Sequence, residues 1–123
     1  MTGDVLICTR LVSTIEWLRR QGISGEVTGD ITSRDQVRGK HVYGNCPLWA
    51  AAEAASYTAI EVPNALHLPP RVRGRVLSAD ELEHYGARLV RYVIRREPLP
   101  AGLAHLEFDA FQEEASSEAS QAH

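Results

Sequence analysis

Apolar and polar positions along the chain follow two periods, and the change from one to the other predicts the secondary structure. The opening run DVLICT is almost continuously apolar, which is typical of a strand covered on both faces. STIEWLRRQG then predicts a helix that begins at Ser13, with Glu16 three residues on as in a capping box, and ends at Gly22. The same criteria predict strands over 25–31, 40–45 and 58–63, helices over 47–57 and 78–86, and a last strand over 87–96.

The order of these elements predicts the fold class. Strand, helix, strand, strand, helix, strand with short connections is typical of a compact α/β domain of Rossmann-like type with a mainly parallel sheet. Right-handed crossovers place helices on the faces of that sheet, which gives a three-layer sandwich. The last strand carries Arg91 and Arg95 on one face, which predicts a sheet edge, because charged side chains there discourage pairing with another chain. We expect one domain over residues 1–96.

The distribution of charge divides the chain in two. The net charge is −3, yet all 13 Lys and Arg precede residue 97, and Glu97 and the residues after it carry six acids with no Lys or Arg. This asymmetry fits either an anionic partner for the basic body or simple solvation. We therefore treat 97–123 as an acidic C-terminal tail. At least 113–123 has too little apolar content to pack and is expected to be disordered.

Targeting signals and cysteines add little to the fold prediction. No apolar run approaches the roughly 20 residues of a membrane span, and the N-terminus has no basic region with a cleavage site, so the sequence predicts a cytoplasmic protein. Cys8 and Cys46 are too few for a disulfide scaffold or a four-cysteine metal site. Each ends a predicted strand, and we expect both to be small buried thiols.

The segment HVYGNCPLWAAAEAA joins the third predicted strand to the second predicted helix, and its junction is the first candidate site. In open α/β sheets, ligands lie at the carboxyl ends of strands, beside helix N-termini whose free N–H groups favour anions. Gly44 permits close approach of the chain to a ligand, Asn45 supplies an amide, and Pro47 begins the helix. We expect a phosphate or similar anion here. The alternative is an ordinary strand-to-helix turn capped by Asn45 or Cys46.

Basic side chains extend this candidate site. Thr9 and Arg10 end the first strand and are expected at the same rim, where they add a hydroxyl and a fixed positive charge. The loop RVRGR contains Gly74 and follows two prolines, and it adds three forked donors suited to phosphate oxygens. These donors are Arg71, Arg73 and Arg75. The alternative for this loop is a solubilising surface segment.

Aromatic and histidine side chains complete the set of candidates. Trp49 can stack on a nucleobase, and the alternative for both Trp49 and Trp17 is core packing. His67 lies just before the arginine loop and is the histidine we nominate for acid–base chemistry, the alternative being an ordinary surface histidine. The sequence lacks G-x-G-x-x-G, P-loop, H-E-x-x-H and G-x-S-x-G signatures, and its histidines show no metal-ligand spacing, so no metal or cofactor is expected.

Three stretches of the chain resemble one known family. They are similar to segments of the small CRISPR-associated ring-nuclease proteins of type III systems. The three stretches are ICTR with IEWLRRQG, GNCPLWAAAEAA, and LPPRVRGRVLSADELEHYGARL. The resemblance covers about residues 4–94, and the last of these segments is its most specific part. The acidic tail lies outside it.

The resemblance implies a Rossmann-like homodimer, related in architecture to the domains that sense cyclic oligoadenylates. Such a protein binds and degrades a cyclic oligoadenylate messenger, with cyclic tetra-adenylate as the first candidate, and a symmetric ring suits a two-fold dimer axis. The implied cleavage needs no metal, because the ribose 2′-OH attacks the adjacent phosphate and leaves a cyclic 2′,3′-phosphate. The protein has to hold that hydroxyl in line and stabilise charge on the phosphate. Duplex nucleic acid is not an expected partner.

The family's motifs can be carried onto this chain residue by residue. Arg10 and Arg73 are then the candidates for stabilising phosphate charge, and Asn45 is the candidate for binding phosphate or ribose; these three form the candidate catalytic set. The candidate substrate-binding residues are Thr9, Gly44, Cys46, Pro47, Leu48, Trp49, His67, Arg71, Gly74 and Arg75.

The chain also departs from the family's pattern where histidines often stand. Leu11 follows the first-strand arginine, and Gly29 begins the segment after the second strand. General acid–base catalysis contributes only about 10² to 10⁴-fold, so these departures bear on cleavage more than on binding. Two alternatives to a ring nuclease therefore remain: a sponge or sensor that binds the messenger without cleaving it, and an accessory subunit that binds a partner protein.

Overall fold

A five-stranded sheet organises the protein. The computed structural model describes residues 4–63 and 67–107. The strands are β1 (Val5–Cys8), β2 (Glu26–Thr28), β3 (His41–Gly44), β4 (Ser56–Glu61) and β5 (Arg88–Tyr92), in the spatial order β2-β1-β3-β4-β5. β1 to β4 are parallel and β5 runs antiparallel to β4 at the sheet edge. The predicted α/β class, the mainly parallel sheet and the edge position of the last strand are confirmed.

Among residues 4–63 and 67–107, three α-helices and two 3₁₀ helices accompany the sheet. They are α1 (Val12–Arg20), α2 (Leu48–Ala51) and α3 (Ala79–His84), with 3₁₀ helices at Arg34–Gln36 and Ala101–Leu106. The described residues include no helix with the length and apolar character that a membrane span requires. The predicted disorder of 113–123 lies outside the described residues.

The predicted helix starts were correct for α3 and wrong for α1. Ser78 Oγ accepts from the Glu81 N–H at 3.1 Å, and the Glu81 carboxylate accepts from the Ser78 N–H at 3.0 Å, so the capping box forms as predicted. α1 instead begins at Val12, one residue before Ser13. Its start is fixed by Thr9 Oγ1, which accepts from the Leu11 N–H at 3.1 Å.

The second helix is much shorter than the predicted span 47–57. α2 ends at Ala51, although the alanines that follow are good helix formers. The Ala55 N–H donates to Lys40 O at 2.8 Å, and Ser56 already pairs with β3, so the chain is drawn into the sheet. Sheet pairing therefore outweighs local helix propensity, and β4 begins two residues earlier than predicted.

The core lies in two apolar clusters on opposite faces of the sheet. On one face, α1 and α3 cover the sheet with a cluster of Ile7, Trp17, Leu18, Ala79 and Leu82. On the other face, α2 and the first 3₁₀ turn cover a cluster of Leu6, Cys8, Ile31, Val37, Val42 and Ala50. The result is a three-layer domain whose second outer layer is thin, because it consists of single turns. Trp17 is buried, as the core alternative predicted.

Candidate functional site

The parallel register brings the ends of β1 and β3 to one edge of the sheet. Cys8 is the register partner of Gly44, so Thr9 and Asn45, which follow these strands, lie at the same carboxyl edge. The sequence predicted this convergence of the two segments. The residues that follow, Leu11 and Pro47, lead directly into α1 and α2.

Gly44 holds this edge together through its contact with β1. Its φ is +107°, and a Cβ atom there would lie 2.4 Å from the carbonyl oxygen of Cys8. That oxygen accepts from the Asn45 N–H at 2.8 Å, and Gly44 O accepts from the Tyr57 hydroxyl at 2.6 Å. The close approach for which a glycine is needed is therefore an approach to the neighbouring strand.

One cavity opens on the α1 and α3 side of this edge, with a volume of about 190 Å³. Its wall is mostly apolar, and Thr9, Thr14 and Asn45 supply the polar groups. Such a combination of an apolar wall with a few placed polar groups is typical of small-molecule sites. The lining residues are Thr9, Leu11, Thr14, Gly44, Asn45, Ile60, Val62 and Leu82.

A second cavity, of about 310 Å³, lies against the residues that follow β1, β2 and β3. Asn45 lines both cavities. An amide side chain can both donate and accept hydrogen bonds. The residues lining this second cavity are Cys8, Gly29, Asp30, Ile31, Asn45, Cys46 and Pro47.

Arg10 is held at this edge by the segment after β2. Its Nη2 contacts both carboxylate oxygens of Asp30, at 2.6 and 2.5 Å, and its Nε lies 3.4 Å from Gly29 O. The side chains of Arg10 and Asp30 are 71% and 64% exposed, and exposed pairs of this kind contribute about 0 to 1 kcal/mol. Among the described residues, no hydrogen bond uses the Arg10 Nη1. The Nη1 group is therefore available to donate to a further acceptor.

The described side-chain contacts of the arginine loop are with the start of α3 and with the loop itself, and none is with a residue that lines either cavity. Arg75 forms a two-pronged ion pair with Glu81, and Arg75 Nε donates to Arg71 O at 3.2 Å. The Arg75 guanidinium, and then the Ser78 N–H, lower the pKa of Glu81 to about 2. Arg73 Nε donates to Leu68 O at 2.9 Å, which closes the loop on itself.

Several predicted site residues lie apart from the cavities. Within 4–63 and 67–107, neither lining includes Arg71, Arg73, Gly74, Arg75, His67, Leu48 or Trp49. Leu48 is 74% exposed at the start of α2, and Trp49 packs against the thin-layer cluster. The structure thus brings together Thr9, Gly44, Asn45, Cys46 and Pro47, with Arg10 beside them.

The sequence interpretation missed much of the first cavity's wall. Ile60 and Val62 lie at the carboxyl end of β4, where the same strand-end rule would have pointed to them. Thr14 lies in the first turn of α1, near Leu11. Leu82 comes from α3, which is distant in sequence, and no local pattern indicates it.

The two thiols are unsuited to nucleophilic chemistry. Burial, and then the neighbouring Cys8, raise the pKa of Cys46 to about 12. Burial, and then Asp30, raise the pKa of Cys8. Both cysteines are free, Cys8 is buried as predicted, and Cys46 is only half-buried. Across 4–63 and 67–107, no group of three or more His, Cys, Asp or Glu side chains is placed to hold a metal ion.

This combination of a parallel α/β sheet and a polar strand-end edge defines a small Rossmann-like α/β protein with a candidate ligand site. Residues 6–95 match the model of the family described as "Putative CRISPR-associated protein (Cas_VVA1548)". The chain belongs to this CRISPR-associated family. Neither the curated proteins nor the solved structures gave a match.

Proposed function

We propose that this protein is a ring nuclease that binds and cleaves a cyclic oligoadenylate, with cyclic tetra-adenylate as its substrate, and thereby switches off type III CRISPR signalling. The observation that carries the proposal is the position of Asn45, which lines both cavities at the strand-end edge, with Arg10 held nearby by Asp30. Membership of a CRISPR-associated family over residues 6–95 supports the biological setting. The proposed active form is a homodimer.

The proposed reaction uses a nucleophile that the substrate itself supplies. The ribose 2′-OH loses its proton, its oxygen bonds to phosphorus, the bond to the 5′ oxygen breaks, and that oxygen takes up a proton. The products are a 5′-hydroxyl and a 2′,3′-cyclic phosphate. The protein's task is to hold the 2′ oxygen in line with the leaving oxygen and to stabilise the charge that builds on the phosphate.

The residues at the edge divide this task between them. The Arg10 guanidinium takes the phosphate charge through Nη1, while the Asn45 amide binds phosphate or ribose. The apolar wall formed by Leu11, Ile60 and Val62 accommodates a base. Leu11, Val12 and Leu48 are exposed near the starts of α1 and α2, and they offer apolar surface for further bases.

A binding protein that does not cleave is the second candidate, and the linings of the cavities favour it. Among the described residues, the first cavity is lined by no titratable side chain, and the second only by Asp30 and the two thiols with raised pKa. No histidine lines either cavity in this part of the chain. Such a site binds its ligand with little help for proton transfer.

The test is incubation of the purified protein, with EDTA, against labelled cyclic tri-, tetra- and hexa-adenylate. Products are resolved by liquid chromatography and mass spectrometry, and binding is scored in parallel. Linear products that end in cyclic phosphate would support the ring nuclease. Tight binding of intact rings would support the sponge, and absence of both would refute the proposal in either form.

Two variants locate the site in the same assay. Asn45→Ala should abolish cleavage while the circular dichroism spectrum is unchanged. Arg73→Ala tests the arginine loop, where unchanged affinity in a folded variant removes that loop from the site. Arg19→Ala, at an exposed position in α1, is the matched control and should behave as the unmodified protein.

A further inference from the structure

The segment after β2 brings one carboxylate to the strand-end edge. Thr28 ends β2 and is the register partner of Cys8, and its carbonyl oxygen accepts from the Thr9 N–H at 2.9 Å. The Thr28 hydroxyl donates to Asp30 O at 2.8 Å, which holds the turn that follows the strand. Asp30 therefore lies at the same edge as Thr9 and Arg10, and it lines the second cavity.

Arg10 holds the Asp30 carboxylate in place. Both carboxylate oxygens contact Arg10 Nη2, at 2.6 and 2.5 Å. The Arg10 side chain passes over Gly29, where an added Cβ atom would lie 3.3 Å from Arg10 Cγ. Each carboxylate oxygen keeps a lone pair beyond its contact with Arg10, and the Asp30 side chain is 64% exposed. The carboxylate is thus both positioned and accessible to a further proton donor.

The other titratable groups at the cavities are poor proton acceptors. Among the described lining residues, those of the first cavity have no titratable side chain, and those of the second add only Cys8 and Cys46 to Asp30. Burial raises the pKa of both thiols, that of Cys46 to about 12, so both keep their protons at neutral pH. Asp30 is thus left as the lining residue whose side chain can take up a proton.

The two terminal nitrogens of the Arg10 guanidinium set a bound phosphate beside this carboxylate. Nη2 contacts Asp30, and Nη1 donates to no acceptor among the described residues. Because the guanidinium is a rigid planar fork, a phosphate oxygen that accepts from Nη1 lies next to Asp30, with the positive charge between the two anions. A ribose hydroxyl that attacks this phosphate therefore approaches the carboxylate as well.

We propose that Asp30 is the general base of the ring-nuclease reaction and accepts the proton of the attacking ribose 2′-OH. The assignment rests on the proposed function and adds the group that removes this proton. As the 2′ oxygen bonds to phosphorus, its proton passes to a carboxylate oxygen of Asp30. The bond from phosphorus to the 5′ oxygen breaks on the opposite side, away from Asp30, so the 5′ oxygen takes its proton from water. The hydroxide so formed recovers the proton from Asp30.

The first experiment separates catalysis from binding in Asp30→Asn, which removes the charge and keeps an oxygen that accepts from Arg10. For cyclic tetra-adenylate, kcat should fall about 10²- to 10⁴-fold, the usual contribution of a general base, while KM stays unchanged or falls. Asp35→Asn is the matched control and should cleave as the unmodified protein does, because Asp35 is 79% exposed, pairs with Arg38 and lines neither cavity. An unchanged kcat in Asp30→Asn would overturn the assignment. So would a loss confined to KM, which would mark a residue that only holds Arg10.

The second experiment restores the base from solution. Asp30→Ala leaves an opening beside Arg10, and the exposure of this site admits a small carboxylate. Added formate should raise kcat of Asp30→Ala with increasing concentration, whereas chloride at the same ionic strength should not. No increase with formate would overturn the assignment. Rings that the unmodified protein binds but leaves intact would instead refute the ring nuclease itself, and the Asp30 assignment with it, so the two failures are distinguishable.

Discussion

The backbone of Gly44 packs so closely on Cys8 that a Cβ atom would lie 2.4 Å from the Cys8 carbonyl oxygen. Because the Asn45 N–H donates to the same oxygen, the contact fixes both the end of β3 and the start of the candidate site. Stability and the proposed function therefore depend on the same two residues. A change at Gly44 is expected to displace Asn45 from the cavities that it lines.

Gly44→Ala should lower the free energy of unfolding by about 2 to 5 kcal/mol. The positive φ accounts for about 1 to 2 kcal/mol of this loss, and the steric overlap with Cys8 for about 1 to 3 kcal/mol. Gly22→Ala is the matched control, because Gly22 has φ +84° with nothing within 4 Å of the added Cβ. The free energy of unfolding of Gly22→Ala should fall only by the amount that the positive φ costs. Chemical denaturation of the three proteins measures the difference. Equal losses in both variants would show that the contact with Cys8 relaxes freely.

Arg10→Ala should weaken binding of cyclic tetra-adenylate by about 10- to 150-fold, the range that corresponds to a charge-assisted hydrogen bond of about 1.5 to 3 kcal/mol. The fold should be retained, because the pair with Asp30 is exposed. Isothermal titration calorimetry measures the affinity, and thermal melting checks stability. An unchanged affinity would place the phosphate away from Arg10.

The native thiols should resist alkylation at neutral pH. Burial raises the pKa of Cys46 to about 12 and also raises that of Cys8, so little of the reactive thiolate is present. Iodoacetamide labelling followed by mass spectrometry should show slow modification of the folded protein. Two labels should appear quickly after denaturation. Rapid labelling of Cys46 in the native protein would contradict the packing described for the junction.

Part of the free energy of unfolding should depend on pH through the ionisation of Glu81. Its pKa is lowered from 4.5 to about 2 by Arg75 and by the Ser78 N–H, so its ionised form is stabilised in the folded protein. This contribution is fully present above the unfolded pKa of 4.5 and is lost as the pH falls towards 2.

Glu81→Gln isolates that contribution, because glutamine keeps the side-chain oxygen of the capping box and loses the charge. The difference in unfolding free energy between the two proteins should be constant from pH 7 to about pH 5 and should shrink towards pH 2. Urea denaturation at several pH values measures it. A difference that does not change with pH would show that the ion pair is not formed in solution.

The sequence predicted the elements that depend on local pattern. The run before Thr9, the capping box of Ser78 and the alternating last strand are local patterns, and each gave an element at the expected place. The last strand, predicted over 87–96, is shorter than expected, because it ends at Tyr92. The carboxyl-edge rule also brought Thr9 and Asn45 together correctly, because parallel register leaves few alternatives.

What the sequence did not predict depends on contacts between distant segments. The predicted length of α2 was wrong because Ser56 and the residues after it pair with β3. No local sequence pattern shows this competition between helix formation and strand pairing. Likewise, the arginine loop suggested a phosphate site, yet Arg75 is engaged by Glu81, six residues further along. The wall that Leu82 adds to the first cavity depends on where α3 packs.

The strand order also determines how the chain can fold. β1 is made first, yet both of its partners, β2 and β3, come later, and β3 lies beyond β2 in the chain. The edge of β1 that pairs with β3 must therefore remain unpaired during synthesis until Gly44 has emerged. Because long loops must close before these pairings form, folding should be slower than in a helical protein of similar size. The nascent N-terminal strand is thus the segment most in need of protection from aggregation.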